Sequence, residues 1–191
     1  MFSAIQFLVV ATTVGFLLEL GAGDGMIASL ALWPLQGDFM PWQLVTYAFL
    51  HADIVHLAFN MFGLWMFGRE LEYVLGRRVV LQIYFSSVLS AGITQLLFTS
   101  LAGGVYPTVG ASGGVFGLLL AFAVCFPNRV IMLLFPPLPL PAWLFVILYA
   151  GIELTLGVTG TQAGVAHFAH LGGMVGGYLV IRRRRRHGQW N

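Results

Sequence analysis

Charge is scarce in this chain and confined to a few places. All nine cations are arginines, set at Arg69, at Arg77 and Arg78, at Arg129, and at Arg182 to Arg186, with long apolar runs between them. Charged residues fill 8% of the 191 positions, where a soluble domain carries about a quarter. Hydrophobic residues make up 59%. So much apolar surface with so little charge to face water points to an integral membrane protein, expected as one domain over residues 1–191.

A membrane-crossing helix needs about 20 mostly apolar residues. Runs at about 3–20, 54–71, 79–100, 112–127, 141–157 and 165–181 come close to this, which predicts an all-α bundle of six transmembrane helices. Basic residues collect on the cytoplasmic side. Six spans put both termini on one side and all nine arginines with them, leaving Asp24, Asp38 and Asp53 outside. Five or seven spans would scatter the arginines over both faces. The first run lacks the basic lead of a signal peptide and is expected to be a retained span. The basic tail, 182–191, follows an apolar helix and so suits anionic lipid headgroups, with no nucleic acid implied. Cys125 is alone and can form no disulfide within the chain.

Three stretches depart from a plain bundle. Residues 21–53 mix Trp33 and Trp42 with Pro34 and Pro41, too polar to span and too aromatic for free water, and are expected to lie along the membrane interface. The run PPLPLP, Pro136 to Pro141, is a helix stop before the fifth span. The glycine-rich composition of GVTGTQAG, 157–164, predicts a loop able to move.

Polar side chains within a membrane are costly and mark functional sites. Ser112 precedes Arg129 by seventeen residues, about 25 Å of helix. His56 precedes Arg69 by thirteen, about 20 Å. His170 precedes Arg182 by twelve, about 18 Å. Three polar groups on three runs therefore share a layer in the outer half of the membrane. His56 and Asn60 stand i and i+4 in HLAFN and share a helix face. Gly173 and Gly177 continue the face of His170, and small residues at such spacing let helices approach closely. Ser112, between glycines at the start of an apolar helix, sits among unpaired N–H groups that suit a developing oxyanion. His170 is the candidate general base and Ser112 the nucleophile. No Asp or Glu is placed by spacing to orient His170, so a Ser–His dyad is expected, and Glu153 in the fifth run is assigned no role.

These residues resemble the rhomboid family of intramembrane serine proteases. The family's G-x-S-G motif is matched by Gly110, Ala111, Ser112 and Gly113, and its A-H-x-x-G-x-x-x-G motif by AHLGGMVGG around His170. His56 and Asn60 match its H-x-x-x-N, and Gly68, Glu72 and Gly76 its G-x-x-x-E-x-x-x-G. The likeness runs from about residue 3 to 182 and implies no further domain. It implies a rhomboid-like six-helix fold with a membrane-associated first outer loop, and a peptidase acting on transmembrane protein substrates in the bilayer. It also implies oxyanion or substrate binding by His56, Asn60, Gly110 and Gly113, with Phe116, Gly173 and Gly177 in support. Neither cofactor nor metal is implied. A bacterial inner membrane with cytoplasmic termini is the expected location, with an organelle membrane as the alternative. Two positions differ from the family habit: Gln43 follows Trp42 where arginine is common, and Phe116 stands where tyrosine often packs on the histidine.

Other functions draw on the same residues. An inactive rhomboid-like binding protein would keep the fold, although such proteins usually lack the serine or histidine. Four histidines, His51, His56, His167 and His170, are enough to ligate haem, but His51 lies near the start of its run and His167 a turn above His170, facing elsewhere or shaping the cavity. GAGD, Gly21 to Asp24, matches the motif of aspartyl intramembrane proteases, yet it lies in a loop with no second intramembrane aspartate.

Overall fold

The computed structural model describes residues 2–133, 137–160 and 166–186. Part of the Pro136–Pro141 stop, half of the loop at 157–164, the start of the sixth run and residues 187–191 of the tail lie outside the described residues. Each of the six apolar runs is helical. Helix α1 spans Ala4–Ala22 and is followed by the short α2, Asp24–Leu30. Helix α3, Gln43–Thr46, runs into a 3-10 turn at Tyr47–Phe49. The second run is one helix, Ile54–Leu75, built from α4 (Ile54–Gly63), a π-turn (Leu64–Gly68) and α5 (Arg69–Leu75). Then come α6, Arg77–Ala102; α7, Ser112–Cys125; α8, Ala142–Thr159; and α9, His167–Arg186.

By length and composition, α1, α6 and α8 can each cross a membrane, and a fourth span arises if Gln43–Phe49 and Ile54–Leu75, bent by 101°, count as one. Helix α7 is apolar but has only 14 residues, about 21 Å against a hydrocarbon core of about 30 Å. The chain is not wholly α-helical. Val130–Met132 (β1) pairs antiparallel with Pro139–Pro141 (β2), so the proline-rich stretch expected only to stop a helix forms half of a small ribbon. Proline lacks the N–H of an inner strand but is tolerated at a ribbon edge.

Helices α6, α7 and α9 make the centre, and small residues let them touch. A Cβ on Gly117 of α7 would strike the Ser87 side chain of α6, and one on Gly177 of α9 would come within 2.5 Å of Gly117 O. A Cβ on Gly173 would collide with the Gly113 carbonyl, and one on Gly172 or Gly176 with Thr94 or Ser86 of α6. Ten of the fourteen α7 residues are buried, from Gly113 through Ala123. The outer helices instead turn large apolar side chains outward, among them Phe7, Leu17, Phe59, Ile147 and Ile152. An apolar surface of that extent is what lipid tails can cover and water cannot.

One end of the bundle gathers the arginines. Arg129 pairs with Glu70, and Arg185 Nη2 donates to Val124 O at 3.1 Å. At that end Glu72 also accepts N–H groups from Ala4, at 2.6 Å, and Ile5, at 3.0 Å. These are two of the orphan donors at the start of α1, and Ser3 and Gln6 serve others through a capping box. The motif glutamate therefore ties the first helix to the second.

Candidate active site

Ser112 opens α7 at the end opposite the arginines. Its helix has no side-chain cap, and the first bond within this stretch runs from Val115 N–H to Ala111 O at 3.0 Å. The N–H groups of Ser112, Gly113 and Gly114 precede that bond, which leaves a set of backbone donors at the helix's positive end. The chain reaches this point through Gly110, whose φ of 122° is open to glycine and strained for other residues. A Cβ there would also meet the His56 ring at 2.7 Å. The Gly110 N–H donates to Tyr47 O at 2.9 Å, so that donor is already used within the fold.

His170, on the first turn of α9, is buried, and its Nε2 lies 2.9 Å from Ser112 Oγ. The approach rests on the glycines below it, because Gly113 against Gly173 and Gly117 against Gly177 bring the two backbones into contact. Phe116, one turn into α7, stacks on the imidazole with ring centroids 4.3 Å apart and planes 6° apart.

His56 and Asn60 occupy the facing side of α4. Asp53 caps that helix by accepting His56 N–H at 2.8 Å. Asn60 is buried and turns back toward the helix start, its Nδ2 donating to His56 O at 2.9 Å, as the lean of helical side chains dictates. One amide proton remains after that bond.

Three further residues belong to the site. Glu153, assigned no role from its spacing, is buried on α8, and its Oε2 lies 2.9 Å from His170 Nδ1. The same oxygen lies 2.7 Å from Nδ1 of His167, which therefore faces the site and not away from it. An acid does sit behind His170, which corrects the expectation of a bare pair. In the structure the buried residues of α8, Ala142, Val146 and Glu153, recur at spacings of four and seven and so form its inner face, but the helix is apolar nearly all round and its sequence alone marks no such stripe. His51 is the third. Its Nε2 accepts from Ala111 N–H at 3.4 Å, and its ring meets His56 edge-on at 4.9 Å.

Residues 21–53 help hold the serine loop. Leu32 and Thr108 exchange backbone hydrogen bonds of 3.0 and 2.9 Å, just before the Gly110 turn. Gln43 is 1% exposed and stitches the stretch together: its Oε1 accepts from Trp33 N at 3.2 Å and Met40 N at 3.1 Å, while Nε2 donates to Asp38 O at 3.1 Å. The residue that departs from the family habit is thus itself the loop's anchor.

The family model of the rhomboid domain matches residues 38–186. This chain belongs to the rhomboid family. That family is one of integral membrane proteins, in keeping with the apolar helices here. The rhomboid is 33% identical over 156 residues to the mitochondrial rhomboid protein 1 of Saccharomyces cerevisiae, covering 76% of this chain and 43% of that one. It is 30% identical to the rhomboid protease GluP of Bacillus subtilis, over 94% of this chain and 33% of the relative. With the rhomboid protease GlpG of Yersinia enterocolitica it shares 29% identity over 92% of its length and 60% of the other. This rhomboid thus matches between a third and three-fifths of the length of these relatives.

Proposed function

We propose that this rhomboid is an intramembrane serine endopeptidase that cleaves peptide bonds in or near the transmembrane segments of other membrane proteins. One observation carries the reading: Ser112 Oγ lies 2.9 Å from His170 Nε2 at an uncapped helix start. The names of the bacterial relatives, rhomboid proteases, support it.

In this reading His170 Nε2 takes the Ser112 proton as Oγ attacks the substrate carbonyl carbon. The backbone N–H groups at the start of α7, the free Asn60 amide proton and the His56 ring hold the oxyanion. His170 returns the proton to the leaving nitrogen, the C–N bond breaks, and water resolves the acyl-enzyme by the same steps in reverse order. A helical substrate hides its carbonyls in its own hydrogen bonds, so segments that unwind easily are favoured.

The bundle has six spans, with residues 21–53 as a membrane-associated outer loop. Because α7 is shorter than the membrane is thick, its N-terminus lies below the surface, and water reaches Ser112 through a cavity open to the outside. The arginine-rich end is cytoplasmic, and a bacterial inner membrane is the proposed location.

The test compares wild type, Ser112→Ala and His170→Ala, purified in detergent, with a fluorogenic transmembrane-segment substrate and a fluorophosphonate probe. Cleavage and labelling by wild type and neither by the variants is the expected result. A folded wild type that neither cleaves nor labels would sink the reading in favour of a binding role.

A further inference from the structure

We infer that Glu153 is a positioning residue for His170, so that this rhomboid works through a Ser112–His170–Glu153 relay with His167 as a second anchor of the carboxylate. The inference rests on the serine-protease reading and adds to it a residue that lies on a different helix from both partners.

The geometry assigns the protons. Glu153 Oε2 faces two imidazole nitrogens, His170 Nδ1 at 2.9 Å and His167 Nδ1 at 2.7 Å. With Glu153 ionised its oxygens can only accept, which requires hydrogen on both Nδ1 atoms. Neutral His170 then has its lone pair on Nε2, the atom turned to Ser112 Oγ. Without an acceptor at Nδ1 the imidazole is free to place its hydrogen on Nε2, where it cannot receive the serine proton.

The same carboxylate serves the next step. When Oγ attacks, its proton moves to Nε2 and His170 becomes an imidazolium whose Nδ1–H still points at Oε2. The positive charge forms against a negative one already in place, and no proton passes to Glu153. The relay then runs backwards as Nε2–H is given to the leaving nitrogen.

His167 explains how the acid can be kept there. Glu153 is 6% exposed on a helix whose other buried residues are Ala142 and Val146. A carboxylate so placed needs more than one donor to offset its lost hydration. His167, one turn before His170, supplies the second donor and holds Oε2 while His170 changes charge. Phe116 adds a flat support by stacking on the His170 ring.

Glu153, His167 and His170 also offer one ligand atom each within 4.8 Å of one another. A metal would need lone pairs on both Nδ1 atoms, whereas the relay needs hydrogens on both. The two are therefore separable by experiment.

The experiment uses the full chain in detergent. Glu153→Gln, which keeps the shape and removes the charge, should lower kcat by about 100-fold or more while KM and melting temperature stay close to wild type. An equal fall from a merely structural role would come with loss of melting temperature or a raised KM. A kcat within about three-fold of wild type would overturn the proposal, as would loss of wild-type cleavage in EDTA with recovery on adding zinc. Nitrogen-15 spectra of the histidine-labelled wild type, assigned with His170→Ala and His167→Ala, need no Glu153 variant. Hydrogen on Nδ1 of both rings is expected, and hydrogen on Nε2 of resting neutral His170 would overturn the relay. Should wild type fail to cleave at all, the protease reading falls, while the spectra still decide whether Glu153 holds the two rings.

Discussion

The imidazole of His170 lies flat on the ring of Phe116, with centroids 4.3 Å apart and planes 6° from parallel. Its two nitrogens are bonded, Nε2 to Ser112 and Nδ1 to Glu153. Those two bonds fix the ring's direction, and the stacked ring limits its tilting. Phe116→Leu removes the flat support and should lower kcat by about 10-fold, consistent with the cost of small misplacements at a reacting centre. Phe116→Tyr keeps the ring and should stay within a few-fold of wild type. Steady-state cleavage of a fluorogenic transmembrane substrate checks both.

Contact between α7 and α9 leaves no room for a methyl group. Gly173→Ala would drive a Cβ into the Gly113 carbonyl beside Ser112. It should cost about 1–3 kcal/mol of stability and move His170 off the serine, with cleavage falling by more than its melting temperature alone would explain. Gly151 on α8 has nothing within 4 Å of the same position, and Gly151→Ala should leave both unchanged or raise stability slightly. Thermal melting and cleavage of the two variants, side by side, separate crowding from helix propensity.

Gln43 satisfies the N–H groups of Trp33 and Met40 with one oxygen. Gln43→Ala leaves both without that partner and should destabilise the protein by about 2 kcal/mol. Since the same stretch bonds to Thr108 ahead of the serine, activity should fall as well. A melting temperature unchanged from wild type would remove Gln43 from the anchoring role.

Asn60→Ala tests the oxyanion donors without touching Ser112 or His170. Its effect should be a kcat loss of up to about 100-fold, with little change in fold. Fluorophosphonate labelling should slow in parallel, because that reaction passes through a similar anionic centre. Wild-type rates in both assays would assign Asn60 to the helix alone, where it bonds His56 O.

Much of this arrangement was legible along the chain. Apolar runs of near-spanning length are helical because a backbone in lipid must satisfy its hydrogen bonds within itself, and Ser112, His56 and His170 stood out because polar groups are rare within such runs. Gly173 and Gly177 marked a close helix contact. The meeting of Glu153 with His167 and His170 was not legible there. Depth along each run says how far a residue lies from its arginine, but not which way it faces across the bundle.

The sequence by itself determined which segments are helical and apolar, and which few polar residues lie at one level. Only the tertiary structure decided that Glu153 Oε2 meets both His167 and His170, that Gly110 gives its N–H to Tyr47, and that Gln43 anchors the loop leading to the serine. The first two join segments far apart in the chain, so they depend on the rotation and offset of those segments, which in the helix centre are set by where glycines let backbones touch, a property of pairs of helices and not of any one stretch of sequence. Gln43 bonds within its own stretch, to Trp33, Asp38 and Met40, and an irregular segment has no repeat from which such bonds can be read.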